Sequence, residues 1–564
     1  MRRVGTSSTK RNRKKSQDSW GAVTSSAAKG KGAGTGKRQT PAEGRRAPAA
    51  PARTVGDEIP ERAWLVASIV ILMLATALRV YALDLRPLHH DEGVNGFFLT
   101  NLLRQHVYHY DPQNYHGPTL YYLTLPVVAL FGLSTFAVRF ITAAFGIATV
   151  WLVLALRRYV GSVGALTAAA LVAVSPACVF YSRYYIHESL FVFFTLGIVV
   201  AALRFYETGE ATYLVLATAS AAMLFATKET AFISVLTLGL AWLVAHAWAK
   251  LTGGSRRRGR EAEDESGLAN FFASGQAPLV IGGAVVLFVF IWVVFYSSFF
   301  SNWKGITDSF EAFDLWGKTG MSEFHKKPFG TYFEWLWQEE APILILACVG
   351  ALVALFERRK NRFAIFAAAW AFGLLVAYSL ISYKTPWLVL SFVVPLAIAG
   401  GYAVQALDRL GPADLKGRAP AVAVAAVALA VCTYQTVVLN FREYDNDHYP
   451  YVYSHTVRQA LDLVKEIDEL GERANTKEPG VTIASSEYWP LPWYFRDNSH
   501  VGFVGSVSTY YDPNSTLAVI GRDDQLPQLQ RALGESYTRV GDIYPLRPGV
   551  NLVLFERRDL APQR

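Results

Sequence analysis

The stretch WLVASIVILMLATALRVYAL, Trp64–Leu83, is followed within four residues by Pro87-Leu88-His89-His90-Asp91-Glu92-Gly93. Twenty apolar residues suffice to cross a hydrocarbon core of about 30 Å, so the first part is a membrane span. The second part therefore lies where the chain leaves the bilayer. Two imidazoles and two carboxylates beside a membrane are costly unless water or a ligand satisfies them. A solvated loop start is the plain reading of such a pair. The residues up to Tyr121 argue for more. They add His106, His109, Asp111, His116 and several tyrosines, the polar and aromatic lining of a membrane-facing cleft.

The 564-residue chain is 52% hydrophobic, and runs of roughly 20 apolar residues recur along it. Candidate spans follow at Phe136–Leu156, Val163–Tyr181, Leu190–Phe205, Tyr213–Ala226, Phe232–Ala249, Pro278–Ser298, Pro342–Phe356, Phe363–Ile381, Trp387–Ala406 and Pro420–Leu439. Thr119–Leu133 is apolar too, but short. If it does not cross, the basic loops at Arg157-Arg158, Arg256–Arg260, Arg358–Arg362 and Arg409–Arg418 all fall on the cytoplasmic side. If it does cross, all fall outside. The positive-inside rule favours the first arrangement. The expectation is eleven spans plus one interfacial helix.

The net charge of +9 does not point to nucleic acid. Residues 1–62 hold 15 Lys/Arg against 5 Asp/Glu, and the rest of the chain is balanced at 39 against 40. Residues 1–62 read as a disordered basic cytoplasmic tail, 63–440 as the transmembrane domain, and 441–564 as an extracytoplasmic α/β domain. In that last part Thr456–Leu470 and Gln525–Leu533 have helical spacing. Val481–Ser485, Val501–Val504, Leu517–Ile520 and Asn551–Phe555 are short β-type runs. The three cysteines lie in apolar runs and form no disulfide or metal pattern.

Polar groups on the outer side could converge. Arg183, His187 and Glu188 stand between two spans, Lys228-Glu229 in a turn, His325 in the long loop, and Lys384 in a late hairpin. Interfacial anchoring is the plain alternative for each, and the better reading for Lys228. The middle third of every span lacks Asp, Glu and Lys, which counts against an ion-driven pump. A carboxylate at the surface with cations nearby suits transfer from a lipid-linked sugar. The carboxylate takes a hydroxyl proton and the cations stabilise the phosphate that leaves.

At these residues the chain resembles the GT-C superfamily of membrane glycosyltransferases, in its protein O-mannosyltransferase and aminoarabinose-transferase branch. His90-Asp91-Glu92-Gly93, Gly117-Pro118-Thr119-Leu120-Tyr121-Tyr122, Phe131-Gly132-Leu133-Ser134, Ala137-Val138-Arg139 and Ser175-Pro176 with Tyr181-Ser182-Arg183 carry the resemblance. His116-Gly117-Pro118, Tyr383-Lys384-Thr385-Pro386-Trp387 and Glu487-Tyr488-Trp489-Pro490 make it similar to the archaeal flippase-activity-associated membrane proteins. The resemblance implies a polyprenyl-phosphate-sugar donor, inverting transfer and an acid of the first outer loop as base. That role falls on Asp91, with Glu92 beside it. His89, His90, His116, Tyr121, Glu188 and His325 are expected to bind substrate, and Arg183 and Lys384 to hold the donor phosphate. Some members use a divalent metal, Mg or Mn, for which Asp91 and Glu188 are the candidate ligands. The acceptor is a glycan, lipid or protein hydroxyl outside the plasma membrane. The competing readings are a flippase or accessory factor for lipid-linked sugars, and a membrane scaffold whose outer domain binds an envelope partner.

Overall fold

The computed structural model describes residues 59–114, 116–252, 267–320, 326–357, 361–412 and 415–562. His325, expected at the site, lies outside them, as does nearly all of the basic tail. Among the described residues eight helices are long and apolar enough to cross a membrane, or up to ten spans if two bent pairs each count as one. The chain is thus an integral membrane protein. The remaining expected span, Tyr213–Ala226, falls on the shorter, 15-residue helix Ala211–Phe225. The expected interfacial helix is the 13-residue Thr119–Phe131, about 20 Å long at 1.5 Å per residue.

The bundle is built around Pro386–Asp408, whose most apolar 18 residues are 94% buried, while the same stretch of Glu61–Val80 and of Ala277–Tyr296 is 17% buried and lies on the outside. Small residues let the central helices meet. A Cβ on Gly401 would lie 2.3 Å from the Gly164 carbonyl, and one on Gly350 would lie 2.0 Å from that of Ala399. Between lipid-embedded helices close backbone approach supplies the packing that the hydrophobic effect cannot.

The bent pairs meet at one side chain. Ser162–Val174 and Pro176–Ser182 are inclined by 55°, and Thr331–Glu339 and Ala341–Phe356 by 111°. Glu340, the break of the second pair, accepts hydrogen bonds from Ser175 Oγ at 2.7 Å and from the Ala177 amide at 2.8 Å. It thereby serves free N–H and O–H groups at the break of the first pair.

The residues after Phe441 carry a five-stranded sheet in the order β2-β1-β3-β5-β4. The strands are β1 Val481–Ile483, β2 Val501–Phe503, β3 Ala518–Arg522, β4 Tyr537–Arg547 and β5 Val550–Arg557. β1 runs parallel to β2 and β3, and β5 runs antiparallel to β3 and β4. Alternation along the strands makes two cores. Ile483, Ile520, Leu552 and Leu554 pack with Leu463 and Ile467 of the helix Ala460–Arg473. Val519, Val553 and Phe555 pack with Leu529 and Leu533 on the other face. Four strands fall on the runs expected from sequence. β4 does not stand out there, because Gly541, Asp542 and Pro545 interrupt it. As an edge strand with two register shifts it tolerates that composition.

Candidate active site

The stretch after the first span is a helix where a loop was expected. It runs over His90–Gln105 and starts on a reciprocal cap. His89 Nδ1 accepts the Asp91 amide at 3.1 Å, and the Glu92 carboxylate accepts the His89 amide at 3.0 Å. Two backbone donors that a helix start would leave open are satisfied. The helical turn of about 100° per residue then sends Asp91 and Glu92 in different directions.

Glu92 points inward and is fully buried. Arg139 donates to its two oxygens at 2.7 Å each, and the Tyr185 amide adds a bond of 2.8 Å. The same guanidinium also donates to the carbonyls of Leu83, Arg86 and Pro87. Burial opposes the Glu92 charge, but Arg139 outweighs it and holds the carboxyl below the usual range. Every lone pair that could meet a substrate is engaged. Glu92, expected beside Asp91 at the site, thus does not line the cavity; its bonds tie the site helix to the bundle.

Asp91 faces a cavity of about 310 Å³ together with His90, Asn95, His116, His187, Glu188, Lys228, Glu229, Tyr383 and Trp387. Its side chain keeps 38% of its surface open. Enclosure by protein is the main cause that pushes its pKa up to about 6, with His116 opposing and Glu188 adding to the shift. Lys228 donates to Glu188 at 2.5 Å, and burial against its charge is outweighed by Glu188 and Glu229, so it stays an ammonium. His116 Nδ1 lies 2.9 Å from Glu229. Burial lowers His90 to about 4 and His89 to about 3, so both are neutral at physiological pH. The Asn95 amide bonds the Tyr185 carbonyl at 2.9 Å and accepts from the Tyr121 hydroxyl at 2.9 Å. Tyr121 thus braces the cavity wall from behind.

Asp91, His90, His116 and Glu188 accordingly come together. Others do not. His89 is buried under the helix start, its Nε2 3.1 Å from the Tyr453 carbonyl. Arg183 donates to the carbonyls of Leu78, Arg79, Tyr81 and Ala82, fastening the end of the first span. Lys384 donates to the carbonyls of Ser379 and Ile381 at its own turn, while its neighbours Tyr383 and Thr385 line the cavity. Neither cation lines the cavity, because backbone carbonyls claim each. Lys228, read from sequence as an anchor, is the buried cation that does line it. Its only signal was a charged pair in a turn too short to leave the membrane surface.

Asp91 and Glu188, the expected ligands of a divalent metal, both line the cavity. Among the described residues no group of three His, Cys, Asp or Glu side chains is placed to hold one. Glu188 and Glu229, which line the cavity with Asp91, are bonded to Lys228 and His116.

Residues 115–254 match the family described as dolichyl-phosphate-mannose-protein mannosyltransferase. No curated protein matches the chain by sequence. Among solved structures, ArnT from Cupriavidus metallidurans bound to undecaprenyl phosphate is similar at 14% identity and a TM-score of 0.58, over 90% of this chain and 100% of that one. The apo oligosaccharyltransferase of Archaeoglobus fulgidus is similar at 13% identity and 0.54, over 85% and 73%. Its complex with Zn and sulfate gives 14% and 0.50, over 84% and 71%. These likenesses are of fold: the chain shares the architecture of these solved membrane proteins.

Proposed function

We propose that this chain of GT-C architecture is a glycosyltransferase that moves a sugar from a polyprenyl-phosphate donor to an acceptor hydroxyl at the extracytoplasmic face of the plasma membrane. The observation that carries the reading is Asp91, whose carboxyl titrates near 6 in a cavity that also holds Lys228. A base works best with a pKa close to the working pH. At neutral pH Asp91 is ionised yet still basic enough to take a hydroxyl proton. The acceptor oxygen then bonds to the anomeric carbon. The bond from that carbon to the phosphate oxygen breaks, and its electron pair leaves with the polyprenyl phosphate. Lys228 faces the cavity with a charge held by Glu188, and is the cation available to the departing phosphate. Tyr383 and Trp387 supply aromatic surface for the sugar. ArnT, similar in fold, is bound to undecaprenyl phosphate in its own structure, which supports a lipid-linked donor here.

The test is single-turnover transfer from radiolabelled polyprenyl-phosphate sugars. Asp91→Asn is expected to slow transfer roughly 10²–10⁴-fold with little change in donor binding. An Asp91→Asn protein with the wild-type rate would end the reading of Asp91 as base. A protein that moves lipid-linked sugars across a bilayer without transferring them would favour the flippase reading.

A further inference from the structure

The motif Glu487-Tyr488-Trp489-Pro490 has no part in the chemistry above, yet it lies against the helix that carries Asp91. A Cβ on Gly93 would sit 2.6 Å from Pro490 Cβ and 2.8 Å from its Cα. A Cβ on Gly96 would sit 2.5 Å from the Trp493 ring. Only glycine at these two places allows the segment to rest on the helix backbone. The Trp489 ring lies 6.2 Å from His90 and 5.9 Å from Phe97. The Tyr494 hydroxyl accepts the Leu88 amide at 2.9 Å, and Trp493 Nε1 donates to Thr135 at 3.2 Å. The segment thus spans from the residue before the cap to the second turn.

Arg547 holds the segment. It ends β4, where a hairpin through Gly549 turns into β5. Its guanidinium donates to the Trp489 carbonyl at 3.0 Å and pairs with Glu487. It is also near enough for Asp91 to bear on its charge. The sheet region therefore places a tethered cation and a rigid Trp-Pro wedge against the turn that aims Asp91.

We propose that the C-terminal sheet region is a working part of the site, with Pro490, Trp489 and Arg547 as positioning residues that set where the Asp91 carboxylate points. This rests on Asp91 as the base. The charged and titratable groups around Asp91 are His89, His90 and Glu92 on its own turn, His116, Tyr184, His187, Glu188, Lys228, Glu229 and Tyr383 from the bundle, and Arg547 from the sheet. Of these only Arg547 comes from beyond the membrane part. A misplacement of about 1 Å at a reacting group can cost roughly 10² in rate, so a wedge of this kind is felt in turnover.

The experiment follows single-turnover transfer and donor binding against pH in the full-length protein, for wild type, Arg547→Met, Arg547→Lys and Gly93→Ala. Gly93→Ala should transfer roughly 10²-fold more slowly while binding donor within about threefold of wild type. Arg547→Met should move the acid limb of the rate profile to higher pH, because the lost cation no longer favours the carboxylate. Arg547→Lys should return the limb to its wild-type place. A segment that only stabilises the fold would reduce the yield of active protein and leave the limb where it was. An unmoved limb in Arg547→Met, a limb still displaced in Arg547→Lys, or a wild-type rate in Gly93→Ala overturns the proposal. If Arg547→Met does not fold, Gly93→Ala decides. A wild-type protein with no transfer at all would instead overturn the reading of Asp91 as base.

Discussion

Arg139 grips both oxygens of Glu92 at 2.7 Å, while Asp91, one residue earlier, looks into the cavity. Two adjacent acids thus have separate tasks, and substitution should separate them. Removing one partner of a buried ion pair typically costs about 3–5 kcal/mol because the other charge is left stranded. Glu92→Gln should therefore lower the melting temperature of the detergent-purified protein clearly, and activity with it. Asp91→Asn should melt at or above the wild-type temperature. Equal melting of all three would remove the structural role of Glu92.

The pH dependence of transfer follows from Asp91. Its carboxyl is raised from the ordinary value to about 6, so the base form fills as pH rises through that point. Single-turnover rate should climb up to about pH 6 and then level. The linked effect on stability has the opposite sense. Between the ordinary carboxylate value and about 6, the folded protein holds a proton that the unfolded chain has released. Asp91 thus makes stability fall as pH rises through that window, and Asp91→Asn removes the fall. Matched rate and melting profiles for wild type and Asp91→Asn check both signs.

Lys228 and Glu188 should part company in kinetics. A hydrogen bond to a charged group contributes about 1.5–3 kcal/mol, so Lys228→Met should weaken donor binding roughly ten- to a hundredfold if the ammonium meets the phosphate. Glu188→Gln keeps the ammonium and should retain most of the binding. Equilibrium binding of a polyprenyl-phosphate sugar to both variants is the measurement. Loss in Glu188→Gln with retention in Lys228→Met would assign donor contact to Glu188 instead.

Sidedness can be read by labelling. His448 is exposed in the region after the last span, and Lys416 is near the start of that span. His448→Cys should react with an impermeant maleimide on intact cells. Lys416→Cys should react only after permeabilisation. Labelling of position 416 from outside would invert the topology and make Thr119–Phe131 a true crossing.

Much of the fold was legible because membrane spans and buried strands announce themselves by composition. The Trp64–Leu83 run, the core helix Trp387–Ala406 and the strands at Val481 and Ala518 all lie where apolar runs place them. The site was legible only as a neighbourhood. Sequence shows that Asp91 and Glu92 adjoin, but which one faces the cavity depends on the helix start that the His89 cap fixes. Arg183 and Lys384 have the charge to hold a phosphate, but free carbonyls within reach took them, and carbonyls have no sequence signature. Lys228 had the appearance of an anchor until Glu188 was brought to it from a turn forty residues away.

Glu340 joins the two broken helices at their breaks. A break by itself gives a helix slack, since half of it can swing without the other. Fastened to one carboxylate, the two breaks become a single pivot. A tilt of the half-helix Pro176–Ser182 would strain its two bonds to Glu340, and only a short turn separates it from Glu188 on the cavity wall. The geometry of the bundle interior is in this way geared to the pocket at its rim.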